Sequence, residues 1–113
     1  MKGRIASIGE GAGKSCWVDE EGLGGLMSLT GELPEGDFIL LTNMTTPSMV
    51  PLMKRAKGVA TITGGLLCHA AIVSREFGIP CVVAVGRDLY RIKDGVNTVV
   101  DGNIGEVWEY NAE

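Results

Sequence analysis

Short apolar runs alternate along the chain with glycine-rich and polar breaks, and only two stretches carry helical spacing. Residues 1 to 33 show little periodicity and read as β-strands and loops, with strands predicted around Gly3-Ile8 and Lys14-Val18. Gly9-Glu10-Gly11-Ala12-Gly13 reads as the break between them. Leu33-Pro34-Glu35-Gly36-Asp37 is turn chemistry, and Phe38-Ile39-Leu40-Leu41-Thr42 after it has the continuous apolar character of a buried strand.

Thr45-Thr46-Pro47-Ser48 then reads as an N-cap with a first-turn proline ahead of Met49, Val50, Leu52, Met53 and Ala56. Lys54, Arg55 and Lys57 gather where cations complement a helix C-terminus, a structural role preferred over phosphate binding. The pattern predicts a helix of about three turns, with Pro51 awkwardly near its middle. Gly58-Ile62 is a second strand candidate, broken by Thr63-Gly64-Gly65. Cys68 to Phe77 follows as a second helix, closed by Gly78 and Pro80. Pro80-Gly86 resumes strand, and Asn97-Val100 and Glu106-Tyr110, joined by Asp101-Gly102-Asn103, add two more. The succession of strand, glycine loop, helix and strand makes an α/β fold the expectation.

Length and composition narrow the picture. The 113 residues fit one domain, 1-113, long enough to bury a core without staples, and the 17 glycines imply many turns or close backbone approaches. A net charge of -4 with no Lys/Arg run leaves no electrostatic footprint for nucleic acid or an anionic membrane. No apolar stretch reaches the about 20 residues that cross a bilayer, and no signal-type segment follows Met1, so a cytoplasmic protein is expected. Cys16, Cys68 and Cys81 have neither disulfide nor zinc spacing; reduced thiols and no metal site are expected. Gly11-Ala12-Gly13-Lys14-Ser15 imitates a phosphate loop, but Ile8 stands where its first glycine belongs.

The sole histidine, His69, falls in the first turn of the second helix, behind Gly64-Gly65. Free backbone N–H groups and the helix dipole favour negative charge there, so a phosphoryl group on the ring would be stabilised. At 100° per residue, Ala70, Val73, Ser74 and Phe77 share a core-facing arc with His69 at its rim. The plain alternative is a histidine satisfied by a backbone carbonyl. Cys68 could be a thiol nucleophile, but neighbours in a helix point about 100° apart, so a small packing residue is the preferred reading. Arg75, about 120° around and some 9 Å along the helix from His69, is expected not to reach the ring; solvated charge and docking residue both stay open.

The stretch Thr61-Ile62-Thr63-Gly64-Gly65-Leu66-Leu67-Cys68-His69, with Ala70 to Pro80 after it, resembles the phosphohistidine motif of the phosphoenolpyruvate-utilising enzymes. Thr61, Gly64, Gly65, Cys68, His69 and Arg75 each fall on its core pattern. The likeness extends upstream through Gly36-Pro47 and Pro51-Ala56 and downstream from Asp94-Gly95 to Gly105, and is weakest over residues 14 to 33. It is most similar to the phosphoenolpyruvate synthase and rifampicin phosphotransferase branches.

The resemblance implies a swivelling β/β/α phosphohistidine domain. His69 would be phosphorylated, at Nε2, and would pass the group to an acceptor such as pyruvate. Gly64, Gly65 and the N–H of Ala70 would cradle the phosphoryl group, with Thr61, Cys68 and Arg75 in supporting or docking roles. The chain would bind no cofactor alone; Mg-ATP or phosphoenolpyruvate would sit on a partner ATP-binding or acceptor domain, and turnover would need that partner. Leu67 departs from the pattern, replacing the threonine usual two residues before the histidine, so regulation by phosphorylation of that threonine cannot operate. Ile62-Thr63 departs where a polar or acidic residue often stands. The rival reading is a noncatalytic interaction or regulatory module that keeps the fold.

Overall fold

The computed structural model describes residues 1–18 and 36–110. Seven strands are described: β1 (Arg4–Ser7), β2 (Glu10–Trp17), β3 (Phe38–Thr42), β4 (Gly58–Thr61), β5 (Cys81–Val83), β6 (Asn97–Asp101) and β7 (Glu106–Glu109). Two α-helices, α1 (Val50–Arg55) and α2 (His69–Phe77), fill the crossovers from β3 to β4 and from β4 to β5. The strands form one sheet in the order β1-β5-β4-β3-β2-β6-β7. The inner run β5, β4, β3, β2 is parallel, and β1, β6 and β7 join antiparallel.

Continuous apolar composition on β3 reflects burial on both faces, the signature of parallel strands covered twice. Phe38 and Leu40 face Met49, Leu52, Met53, Ala70 and Ala71 on the helix side. Ile39 and Leu41 face the other way, against Ala60, Val82, Val100, Val107, Leu89 and Ile92. This second core is enclosed because the sheet curls back on itself. Lys2, just before one edge strand, bridges Glu106 in the opposite edge strand, and Met1 exchanges backbone hydrogen bonds with Val107, each of 2.9 Å. Pairing of the two edges at that end covers backbone groups that would otherwise be open to strand addition. No helix among the described residues is long and apolar enough to cross a membrane.

Several sequence expectations are corrected. Gly9 to Gly13 is not a break, because β2 runs unbroken from Glu10 to Trp17. The glycines serve close packing: a Cβ on Gly11 would collide with the Lys57 carbonyl, and one on Gly13 would lie 2.6 Å from the Asp37 carbonyl oxygen. Gly11 to Ser15 is therefore extended strand and no phosphate loop. The first predicted helix is split into a 3-10 turn, Pro47–Met49, and α1, so Pro51 sits in a first turn where its missing N–H costs nothing. Lys54 lies 4.9 Å from the centre of the Phe77 ring and Lys57 lies 3.9 Å from Asp37, in keeping with structural roles. The 3-10 segment Arg87–Arg91 had no sequence signal. Its Tyr90 stacks on Trp17 with ring centres 5.2 Å apart. Of the turn read at Leu33 to Asp37, residues 33 to 35 lie outside the described residues.

Burial pushes the Cys81 thiol up to about 12, and burial followed by nearby Asp94 pushes Cys16 up to about 11. Unfolding returns both to 9.0, so the unfolded chain loses these protons first as pH rises. The thiol contribution to stability is thus complete below pH 9 and declines as pH climbs through 11 towards 12. Denaturant midpoints measured across that window should fall more steeply for the wild type than for Cys16→Ala/Cys81→Ala, whatever the variant's baseline; equal slopes would contradict this. Gly11→Ala should cost more than about 2 kcal/mol in a denaturant titration, because two backbone segments must part. Gly65→Ala, with open space around its added methyl, should stay within about 1 kcal/mol.

Candidate phosphoryl-transfer site

The site sits where two neighbouring parallel strands end. β3 and β4 pair in register up to Thr42 beside Thr61, and the ladder continues into the loops as Ile62 N–H donates to Thr42 O and Thr63 N–H to Asn43 O. The loop after β3 and the glycine loop before α2 are thereby sewn together, with the Thr63 hydroxyl donating to Asn43 O at 3.0 Å.

The consequence is a contact across 24 residues of sequence: Thr45 Oγ1 lies 2.7 Å from His69 Nδ1. The hydroxyl can accept from Nδ1–H or donate to an unprotonated Nδ1. Either way one ring nitrogen is occupied and the ring is oriented. Thr45 is 6% exposed, while His69 is half-buried. A side-chain hydroxyl therefore replaces the backbone carbonyl considered as the plain partner for this histidine.

His69 opens α2, with Cys68 as an N-cap that makes no side-chain capping bond. The helical ladder starts with Ile72 N–H donating to Cys68 O, so the N–H groups of His69, Ala70 and Ala71 precede it. The buried face of α2 carries Ala70, Ala71 and Ser74; Phe77, expected in the core, is 41% exposed in the last turn, where the chain turns away at Gly78. Gly78 adopts φ 67°, and the N–H groups of Gly78 and Ile79 cap the helix on Arg75 O and Ser74 O.

Thr61, Gly64 and Cys68 come together beneath the loop. Gly64 has φ 124°, and a Cβ there would be 3.0 Å from Cys68 Sγ and 3.6 Å from Thr61 Oγ1. Thr61 is buried and its hydroxyl donates to Thr63 O, turning the chain out of β4. Cys68 N–H donates to Gly65 O, closing the turn before the helix. Gly65 faces open space, and Ala70 is buried with its carbonyl 4.0 Å from Cys81 Sγ.

Arg75 is exposed but not solvated throughout. Its Nε donates to Ala6 O at 2.7 Å and its Nη2 to Leu66 O at 2.6 Å. The guanidinium ties α2 to β1 and to the crown of the glycine loop, so Arg75 supports the loop rather than standing free as a solvated charge. Thr45 was missed as a site residue and read only as part of a helix start. Its signal lay in the topology: successive parallel strands place their following loops side by side.

Residues 33–105 match the family model described as "PEP-utilising enzyme, mobile domain". The chain is 45% identical over 113 residues, all of its length, to a probable phosphoenolpyruvate synthase of Archaeoglobus fulgidus, spanning 14% of that protein. It is 58% identical over 71 residues, 63% of its length, to a probable phosphoenolpyruvate synthase of Methanothermobacter thermautotrophicus, spanning 10% of that protein. The chain thus corresponds to a small part of the relatives it matches. A solution structure of Enzyme I superposes with a TM-score of 0.60 at 34% identity, covering 71% of this chain and 33% of that one, and its phosphohistidine-domain fold is the fold seen here.

Thr45→Val removes the hydroxyl that orients the ring. The ring-nitrogen chemical shifts of His69 should then move towards those of a freely rotating, mixed-tautomer histidine, with about 0.5–1.5 kcal/mol lost in stability. Unchanged shifts would show that Thr45 does not hold the ring.

Proposed function

The chain belongs to the family of PEP-utilising enzyme mobile domains, and we propose that it serves there as a phosphoryl carrier with His69 as the phosphorylated residue. The contact between Thr45 Oγ1 and His69 Nδ1 carries this reading. With the proton on Nδ1 and the Thr45 oxygen accepting it, Nε2 keeps its lone pair and faces away from the bond that orients the ring.

In the forward step the Nε2 lone pair attacks the phosphorus of a donor phosphate. The N–P bond forms as the bond from phosphorus to the leaving oxygen breaks, and that oxygen departs with the electron pair. The Nδ1 proton stays shared with Thr45, spreading the positive charge that develops on the ring. Return of the phosphoryl group to an acceptor oxygen reverses these changes. Positioning supplies much of the rate in such a reaction, and the Gly64–Cys68 turn, the Arg75 tether and the Thr45 bond all position the ring. The N–H groups ahead of the α2 ladder, with the Gly64-Gly65 backbone, are suited to hold the phosphoryl oxygens.

Mg-ATP or phosphoenolpyruvate would be handled by a partner ATP-binding or acceptor domain of a synthase-like enzyme, with this chain not turning over alone. The names of its relatives and the small share of them that it spans support this arrangement. The test is incubation with a synthase relative and Mg-ATP or phosphoenolpyruvate, followed by intact-mass analysis. An acid-labile phosphoryl adduct is expected on the wild type and none on His69→Ala. Absence of the adduct on folded wild type would favour a noncatalytic module instead.

A further inference from the structure

Past the ends of β3 and β4 little backbone joins the two chains. Among the described residues, the last backbone hydrogen bond between their loops is Thr63 N–H to Asn43 O, which falls short of both Thr45 and His69. Threonine hydroxyls continue the connection. Thr42 and Thr61 stand side by side in the β3–β4 register, both fully buried, and each donates its hydroxyl to the carbonyl two residues ahead. Thr42 reaches Met44 O at 3.2 Å and Thr61 reaches Thr63 O. Both strands thus leave the sheet through the same kind of side-chain turn. Thr63 joins the two turns, its hydroxyl donating at 3.0 Å to the Asn43 carbonyl that its own N–H also meets. The carbonyls on either side of Thr45 are both held: Met44 O by Thr42, and Thr46 O by Met49 N–H.

We infer that Thr42 and Thr63 are positioning residues for phosphoryl transfer, setting the place of the Thr45 hydroxyl and through it the orientation of the His69 ring. The inference rests on the carrier reading. Neither hydroxyl bonds the ring; Thr45 does, at 2.7 Å. Thr61 shapes the histidine side of the pair and Thr42 the threonine side, so two matched turns, pinned together by Thr63, fix the separation of hydroxyl and ring. A displacement of about an ångström would carry Thr45 out of hydrogen-bond range and free the ring to turn. Misplacement of that size is costly to a reaction that depends on positioning. Thr63 is exposed, so water could satisfy its hydroxyl, and its bond to Asn43 is not imposed by burial.

The test uses the full chain. Thr42→Val and Thr63→Val keep the branched shape and remove the hydroxyl. In each, the His69 ring-nitrogen chemical shifts should move part of the way towards those of Thr45→Val. Labelling by the Archaeoglobus fulgidus synthase with Mg-ATP should slow about threefold to tenfold, the worth of one hydrogen bond. Thr63→Ser keeps a hydroxyl and should restore both. In a Thr45→Val background, Thr63→Val should add less than about a twofold further loss, because the residue it acts through is gone. Thr98→Val removes a hydroxyl as deeply buried, bonded to Val96 O at 2.9 Å on β6, and should leave shifts and rate as in the wild type. Thr63, being exposed, carries the test if Thr42→Val fails to fold. Unmoved shifts, or moved shifts with an unchanged rate, would overturn the inference and leave the carrier reading standing. An undiminished loss in the Thr45→Val background would also overturn it, since Thr63 would then act by another route. Wild type that is never labelled would overturn the carrier reading and the inference with it.

Discussion

Parallel pairing of β3 with β4 is the constraint on which the rest of the site depends. With Thr42 beside Thr61, the two chains leave the sheet together, and three further hydrogen bonds bind the loops that follow. Only that juxtaposition lets a threonine from one loop meet a histidine opening the helix after the other. Each helix connects parallel strands, so each must return along the sheet, and α2 begins at the same end at which β4 finishes. The His69 ring is thus fastened to the sheet on one side and to a helix start on the other, and does not depend on a free loop.

The glycine loop is held at several points with few side chains. Gly64 takes a backbone angle that other residues resist and leaves room for Cys68; Cys68 N–H closes onto Gly65; Arg75 reaches back from the last turn of α2 to Leu66. The arginine spends its donors on backbone carbonyls, including one from β1, so the loop, the helix and an edge strand are joined through one side chain. Residues 43–50 and 61–74, which supply Thr45 and His69, themselves contain no Lys, Arg, Asp or Glu.

The curled sheet gives that site a stiff base. Enclosing Ile39, Leu41, Val82, Val100 and Val107 on one face and packing two helices on the other leaves β3 fully buried. The glycines of β2 belong to the same economy of space, since Gly11 and Gly13 let neighbouring backbone approach where any Cβ would intrude. Their resemblance to a phosphate loop came from composition, and an extended strand cannot supply the ring of N–H groups such a loop needs.

Local chemistry in the sequence was enough to determine the α/β class, the buried character of β3, the glycine stop at Gly78 and the position of His69 at a helix start, since each depends on residues within a few positions of one another. The motif around His69 was equally legible, being contiguous. The split of the first helix escaped because Pro47 and Pro51 each suit a first turn, and only packing decided where α-helix begins. The role of Arg75 escaped because helix geometry locates its Cα but not the carbonyls of Ala6 and Leu66 that meet it. Thr45 escaped for the deepest reason: its partner is 24 residues away, and hydrogen bonds between loops follow from strand order and register, which no local pattern encodes.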